Sequence, residues 1–316
     1  MIRILANDGI DPAGKALLEA VGFVVETEHV PQELLPEQLK NFDAITVRSA
    51  TKVRQALIDA CPNLKLIGRG GVGMDNIDVE YAKSKGVAVV NTPASSSLSV
   101  AELVFAHLFT GIRFLQDSNR KMPAEGNTKF NDLKKAYAKG IELRGKTIGI
   151  LGFGRIGREV AKVAIGLGMK VLAYDLFPFE PEIALELGDG QLVKVSVKAA
   201  SKEEVIAQSD FISLHTPFSE KPILGAEEFA AMKKGAAVVN ASRGGTIDEL
   251  ALLEALNNGK LAFAGLDVFD NEPTPRQEIL VHPKISLTPH IGASTNEAQE
   301  RIGVELANLI IQFFKQ

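Results

Sequence analysis

Short apolar runs alternate with helical patterns from one end of this sequence almost to the other, and that alternation narrows the fold more than any other feature. A continuous apolar run set between helices has two faces to bury, which is the situation of a strand in a parallel sheet covered on both sides. In the first third the runs are residues 2–6, 23–26, 44–47, 64–67 and 87–90, with helical stretches such as 14–20 and 79–84 between them. Right-handed crossovers stack such units into one small open sheet. A second series follows at 147–151, 170–174, 192–195, 211–214, 237–240, 262–266 and 285–288. A chain of 316 residues exceeds one ordinary core and suits two such α/β domains, each a doubly wound parallel sheet.

Between the two series, residues 97–119 follow a helical pattern that is apolar on more than one face, through Val100, Leu103, Val104, Leu108, Phe109, Ile112 and Leu115. A helix of that kind needs cover from more than one direction, so an interdomain or subunit-interface helix is expected, and with it a homodimer or higher homo-oligomer. A polar, lysine-rich passage leads on to Gly145. The final helix, residues 296–314, leaves the second sheet and is expected to pack back on the first. The expected domains are therefore residues 1–95 with 290–316, and residues 96–289.

The charge balance removes several classes of partner. A net charge of −4 gives no electrostatic reason for nucleic acid or an anionic membrane to bind. The basic run from Arg120 to Lys146 carries no glycine-rich repeat and reads as a solvated face. No window approaches the run of roughly eighteen apolar residues that a spanning helix needs. Cys61 is the only cysteine, which rules out an internal disulfide, and the N-terminus reads as a strand and not as a signal peptide. A cytoplasmic location is expected, and no metal site.

Two segments match G-x-G-x-x-G, and their contexts differ. Gly152-Phe153-Gly154-Arg155-Ile156-Gly157 follows an apolar run and enters a helix at once, and the next run ends on Asp175. An acid about twenty residues beyond such glycines can accept both ribose hydroxyls of NAD. Gly152 permits the tight turn, Gly154 lets backbone approach a pyrophosphate, and Gly157 lets the helix close on the strand. A 2′-phosphate would meet a like charge at Asp175, and Leu176-Phe177-Pro178 supplies no arginine, so the expected cofactor is NAD and not NADP. The other segment, Gly68-Arg69-Gly70-Gly71-Val72-Gly73, runs into the turn-like Met74-Asp75-Asn76, and its next strand ends on Asn91. It is not the dinucleotide turn.

Three residues near strand C-terminal ends, where ligands bind in such sheets, carry acid–base or cationic chemistry. Arg243 is flanked by Gly244 and Gly245, Glu272 lies in Leu266-Asp267-Val268-Phe269-Asp270-Asn271-Glu272-Pro273, and His290 lies in Pro289-His290-Ile291-Gly292-Ala293. A base, a carboxylate to tune it and a cation for a substrate carboxylate are what hydride removal from a 2-hydroxy acid needs.

With these segments the sequence resembles the D-2-hydroxyacid dehydrogenase family, most closely its 3-phosphoglycerate-oxidising branch. The resemblance runs over nearly the whole chain and rests on VRSATKV (47–53), GRGGVGMDNID (68–78), NTPASSSLSVAEL (91–103), GFGRIG (152–157), VVNASRGG (238–245), LDVFDNEP (266–273) and PHIGAST (289–295). It implies a Rossmann NAD-binding domain and a smaller flavodoxin-like substrate domain. It implies His290 as the acid/base, Glu272 as its carboxylate partner and Arg243 as the cation that binds the substrate carboxylate. Cofactor contacts carried over are Val72, Arg155, Ile156, Asp175, Thr216, Ala241, Asp267, His290, Ile291, Gly292 and Ala293, beside Gly152, Gly154 and Gly157.

The implied substrate is a small phosphorylated 2-hydroxy acid, 3-phosphoglycerate, as part of serine biosynthesis. Arg48 and Arg69 follow first-domain strands and are expected to hold its phosphate. The N–H groups of Gly70, Gly71 and Val72 are expected to form a nest for its carboxylate. The chain ends just past the final helix, so a form without C-terminal regulatory domains is expected. Rival readings are a glyoxylate/hydroxypyruvate reductase and, from another class, an NAD-sensing corepressor-like protein on the same fold. His107 reads as a packed core or interface residue and His215 as structural.

Overall fold

The computed structural model describes residues 1–218 and 220–315, and the chain divides into two units, Met1–Ser99 with everything from Ala293 onward, and Val100–Gly292. The division falls at 99/100 and 292/293, not at 95/96 and 289/290, so His290, Ile291 and Gly292 stay with the second unit.

Strands β1 (Arg3–Ala6), β2 (Val24–Glu26), β3 (Ala44–Val47), β4 (Leu66–Arg69) and β5 (Ala88–Asn91) form the parallel sheet of the first unit in the order β2-β1-β3-β4-β5. This is the flavodoxin-like order, with its switch point between β1 and β3. Helix Pro12–Ala20 starts on proline, and the Asp11 carboxylate caps it through the Ala13 N–H at 2.9 Å. The last helix, Asn296–Lys315, crosses it where Gly14 meets Gly303; a Cβ on Gly14 would overlap the Gly303 backbone. Leu306, Ala307 and Ile310 then bury against Ile4, Ala6 and Leu66. Each large aliphatic side chain buried there contributes about 2 kcal/mol.

The second unit carries β6 (Thr147–Leu151), β7 (Lys170–Tyr174), β8 (Glu182–Glu186), β9 (Leu192–Ser196), β10 (Lys198–Ala199), β11 (Phe211–Leu214), β12 (Ala236–Asn240), β13 (Leu261–Leu266) and β14 (Ile285–Leu287). Its main sheet is parallel, in the order β10-β7-β6-β11-β12-β13-β14. Growth in both directions from β6 is the Rossmann arrangement, with the switch point between β6 and β11.

Two expectations need correction here. The run at 192–195 is not a sheet strand: β9 pairs antiparallel with β8, and the two-residue β10 takes the sheet position. Ile183, Val195 and Val197 face the core, while Leu192 is 68% exposed, so one side of the hairpin faces solvent. Its turn is closed by Gly190 at φ +82 and by the Asp189 carboxylate on the Gln191 N–H. The second correction concerns 97–119, which is two helices. Ser97–Ile112 ends, Phe114 turns left-handed at φ 55, and Leu115–Ala136 leaves at a 54° bend, taking in most of the lysine-rich passage. From Val100 on, the first helix is a core element of its own unit, packing Val104, Phe105, Leu108 and Ile112 with Phe153, Phe211 and Phe263. Exposed apolar side chains remain on this helix at Leu98 and Phe109, and follow on the next at Leu115, Met122 and Phe130. Among the described residues no single helix is long and apolar enough to cross a membrane.

Candidate functional site

In the second unit β6 ends in a turn that only glycine permits. Gly152 has φ +95, and a Cβ there would stand 2.5 Å from the His215 carbonyl oxygen at the end of β11. Gly157 lies against the Gly152 carbonyl, which seats helix Arg155–Gly166 directly on the turn. A Cβ on Gly154 would meet nothing within 4 Å, so the helix start opens onto free space. Gly154 is the N-cap and no side chain caps the first turn, which leaves the amides near Arg155 and Ile156 for an outside acceptor. The Asp175 carboxylate sits beside this turn, taking the Phe153 N–H at 2.6 Å and the Phe177 N–H at 3.2 Å. The Thr216 hydroxyl is buried without a partner among the described residues. Open space over uncapped amides, an adjoining carboxylate and an orphaned hydroxyl fit a dinucleotide.

Arg243 stands on a loop braced by Asn240, whose side-chain amide donates to the Arg243 carbonyl (2.9 Å) and the Thr246 hydroxyl (2.9 Å). One Arg243 N–H also donates to the Ser242 carbonyl at 2.6 Å. Gly244 lets this loop touch the next one, since a Cβ on it would overlap the Phe269 carbonyl. The Gly245 N–H donates to the Asp270 carboxylate at 2.7 Å, and the Asp270 N–H to the buried Glu249 carboxylate at 3.0 Å. Burial pushes both carboxyls up. Sequence reasoning missed Glu249 and Asp270, because acids at a helix start and in a loop give no sign that they tie two loops together.

Glu272 accepts the Phe269 N–H at 3.0 Å with one oxygen and faces His290 Nδ1 at 2.8 Å with the other. Burial would raise its carboxyl, but the hydrogen bond and charge of His290, with help from the Phe269 N–H and the Arg243 charge, hold it below the ordinary carboxylate range. A carboxylate accepts, so Nδ1 donates, and the opposite nitrogen, Nε2, has no partner among the described residues. His290 itself is left-handed at φ 55, a conformation uncommon outside glycine. Asp267, 1% exposed, braces this turn: its carboxylate takes the N–H groups of Ile291 (2.8 Å) and Gly292 (2.9 Å) and the Thr288 hydroxyl (2.6 Å). Ala241 is buried after β12.

In the first unit Arg69 ends β4 opposite Val47, so Arg48 is its neighbour one residue beyond β3. Arg48 lines a cavity of about 270 Å³ with Asp8, Gly70 and Ile302, and makes no ion pair among the described residues. Arg69 instead folds over its own loop and donates to the Gly70 carbonyl at 2.7 Å, filling the space a Gly71 side chain would need. The expected nest at 70–72 is largely closed. The Gly70 N–H is spent on the Val47 carbonyl (2.9 Å) and the Gly71 N–H on the Thr92 hydroxyl (2.7 Å), whereas the Val72 N–H has no partner among the described residues. Ala293 gives its carbonyl to the Gln299 amide at 2.6 Å. A larger cavity, about 470 Å³ among Arg3, Glu26, His29 and Phe42, contains none of the expected site residues.

Residues 105–292 match the model of the D-isomer specific 2-hydroxyacid dehydrogenase NAD-binding domain, and the chain belongs to that family. It is 42% identical to a hydroxypyruvate reductase of Thermotoga maritima, over 98% of this chain and 97% of that one. It is also 42% identical to a D-3-phosphoglycerate dehydrogenase of Methanocaldococcus jannaschii, over 98% of this chain but only 57% of that longer protein. Among solved structures it superposes on D-lactate dehydrogenase from Aquifex aeolicus, complexed with NAD and lactic acid, at a TM-score of 0.77 and 29% identity, covering 99% and 95% of the two chains. The chain is an NAD-dependent D-2-hydroxyacid dehydrogenase.

Proposed function

We propose that the protein oxidises 3-phosphoglycerate to 3-phosphohydroxypyruvate, the entry step of serine biosynthesis. In this reading the His290 Nε2 lone pair takes the C2 hydroxyl proton while the Glu272 carboxylate stabilises the imidazolium that results. Arg243 holds the substrate carboxylate and polarises the C2–O bond. NAD, when bound over Gly152–Gly157 with its ribose at Asp175, supplies the hydride acceptor. Arg48 and Arg69 take the phosphate. The observation that carries the choice of acid is Arg48, a cation without an ion-pair partner among the described residues, next to a second arginine at the end of the neighbouring strand.

A second reading, hydroxypyruvate or glyoxylate reduction, is favoured by the likeness to the Thermotoga maritima reductase over 97% of its length. Steady-state rates with 3-phosphoglycerate, glycerate and glycolate, and in reverse with hydroxypyruvate and glyoxylate, decide between them. A kcat/KM favouring the unphosphorylated acids would overturn the phosphoglycerate reading. The protein acts in this proposal as a cytoplasmic homodimer or larger assembly, joined through the exposed apolar side chains of Leu115, Met122 and Phe130.

A further inference from the structure

His107, on helix Ser97–Ile112, is 2% exposed and reaches the turn that carries His290 through a chain of hydrogen bonds. Its Nδ1 lies 2.8 Å from the Ser286 hydroxyl and its Nε2 3.1 Å from the Thr288 hydroxyl. Room for the ring comes from β13, where a Cβ on Gly265 would stand 2.6 Å from the His107 Cβ. The directions of the two bonds nearest the turn are determined at the far end of the hydrogen-bonded chain. The Asp267 carboxylate can only accept, so the Thr288 hydroxyl spends its single proton on it, at 2.6 Å. That hydroxyl must then accept from His107 Nε2–H. Burial, partly offset by the Asp267 charge, pushes the imidazole below its ordinary value, which favours the neutral ring, with Nδ1 accepting from the Ser286 hydroxyl.

We propose that His107 is a positioning residue for catalysis: by donating Nε2–H to the Thr288 hydroxyl it fixes the side-chain rotamer from which Thr288 donates to Asp267, so that Asp267 holds the Ile291 and Gly292 amides and keeps His290 in its left-handed turn. The proposal rests on the reading of His290 as the acid/base. Without His107 the Thr288 hydroxyl keeps only its bond to Asp267, its rotamer is no longer fixed from the other side, and the turn that Asp267 holds loosens. A misplacement of that kind lowers kcat with little change in substrate affinity, because the groups that bind substrate are not touched.

The test compares His107→Leu, His107→Gln and Thr288→Val with His290→Gln in the full chain, with saturating NAD and the best acid of the substrate panel. Expected are a kcat about tenfold lower in His107→Leu and Thr288→Val with KM within about threefold, and recovery in His107→Gln, whose amide can replace the Nε2 donor. Should His107→Leu not fold, Thr288→Val, which keeps the shape of the side chain, carries the comparison. Loss of turnover in His290→Gln beside normal kcat in Thr288→Val and in any folded His107→Leu would overturn this inference alone. Retained turnover in His290→Gln would overturn the acid/base reading and this inference with it.

Discussion

His290 Nδ1 and the Glu272 carboxylate are 2.8 Å apart, and the two residues stand on different loops, after β14 and β13. The contact leaves the opposite imidazole nitrogen unpartnered among the described residues, which is the arrangement a proton-transferring histidine needs. Glu272→Gln keeps a hydrogen-bond acceptor but removes the charge that favours imidazolium. The imidazolium formed in the step then loses its counter-charge, and kcat should fall by about tenfold or more. A near-normal kcat in the folded variant would count against the pair.

Asp175 already accepts two backbone N–H groups beside the glycine turn. Asp175→Ala should raise KM for NAD about tenfold or more, since a charge-assisted hydrogen bond contributes about 2 kcal/mol, and should raise the efficiency with NADP relative to NAD. Wild-type preference for NADP in steady-state kinetics would refute the assignment of this carboxylate.

Arg48→Ala should raise KM for 3-phosphoglycerate about tenfold while scarcely changing the turnover of glycerate. Arg69→Ala should do less, because its guanidinium is already engaged with the Gly70 carbonyl. Equal losses on phosphorylated and unphosphorylated acids would place these arginines on the shared carboxylate.

Burial pushes the His215 imidazole down to about 3, with its Nε2 at 2.7 Å from the Ser213 hydroxyl. An unfolded histidine titrates near pH ~6.5, so between the two values the unfolded chain binds a proton that the folded chain refuses. Stability therefore falls as pH drops below that upper value, by about 2 kcal/mol at pH ~5 from this residue. Burial pushes His107 the same way. Thermal melts at neutral and mildly acid pH should show a smaller drop in Tm for His215→Gln; an equal drop would clear His215 of the effect.

Light scattering at micromolar concentration should give at least twice the 33.9 kDa chain mass. Met122→Glu with Phe130→Glu should shift the protein toward the monomer. An active wild-type monomer would sink the proposed interface.

The sequence was most readable where one local signal decides the structure. β6, β7 and β11 match the runs at 147–151, 170–174 and 211–214, and Gly152, Gly154 and Gly157 have the environments their spacing implies. It was least readable where a partner distant in sequence decides. Nothing around Phe114 announces a left-handed residue: the bend comes where Gly111 lies against the Phe263 ring, 152 residues further on by numbering. The Gly70 and Gly71 amides look available in a glycine-rich segment, but their acceptors, Val47 and Thr92, are set by strand pairing and by a later loop. At β9 a short apolar run fits a buried strand and a half-exposed hairpin equally well, and the turn residues Asp189 and Gly190 were the better guide.

Helix Asn296–Lys315 covers the sheet of β1 to β5, although almost two hundred residues of the other unit are synthesised before it. On the ribosome, the stretch Val100–Gly292 is continuous and can complete its sheet as soon as it emerges. The N-terminal strands emerge first yet wait longest, with Ile4, Ala6 and Leu66 lacking the side chains that bury them until Leu306 and Ile310 have left the exit tunnel. The earliest-made part of this chain is thus the last to have its sheet covered.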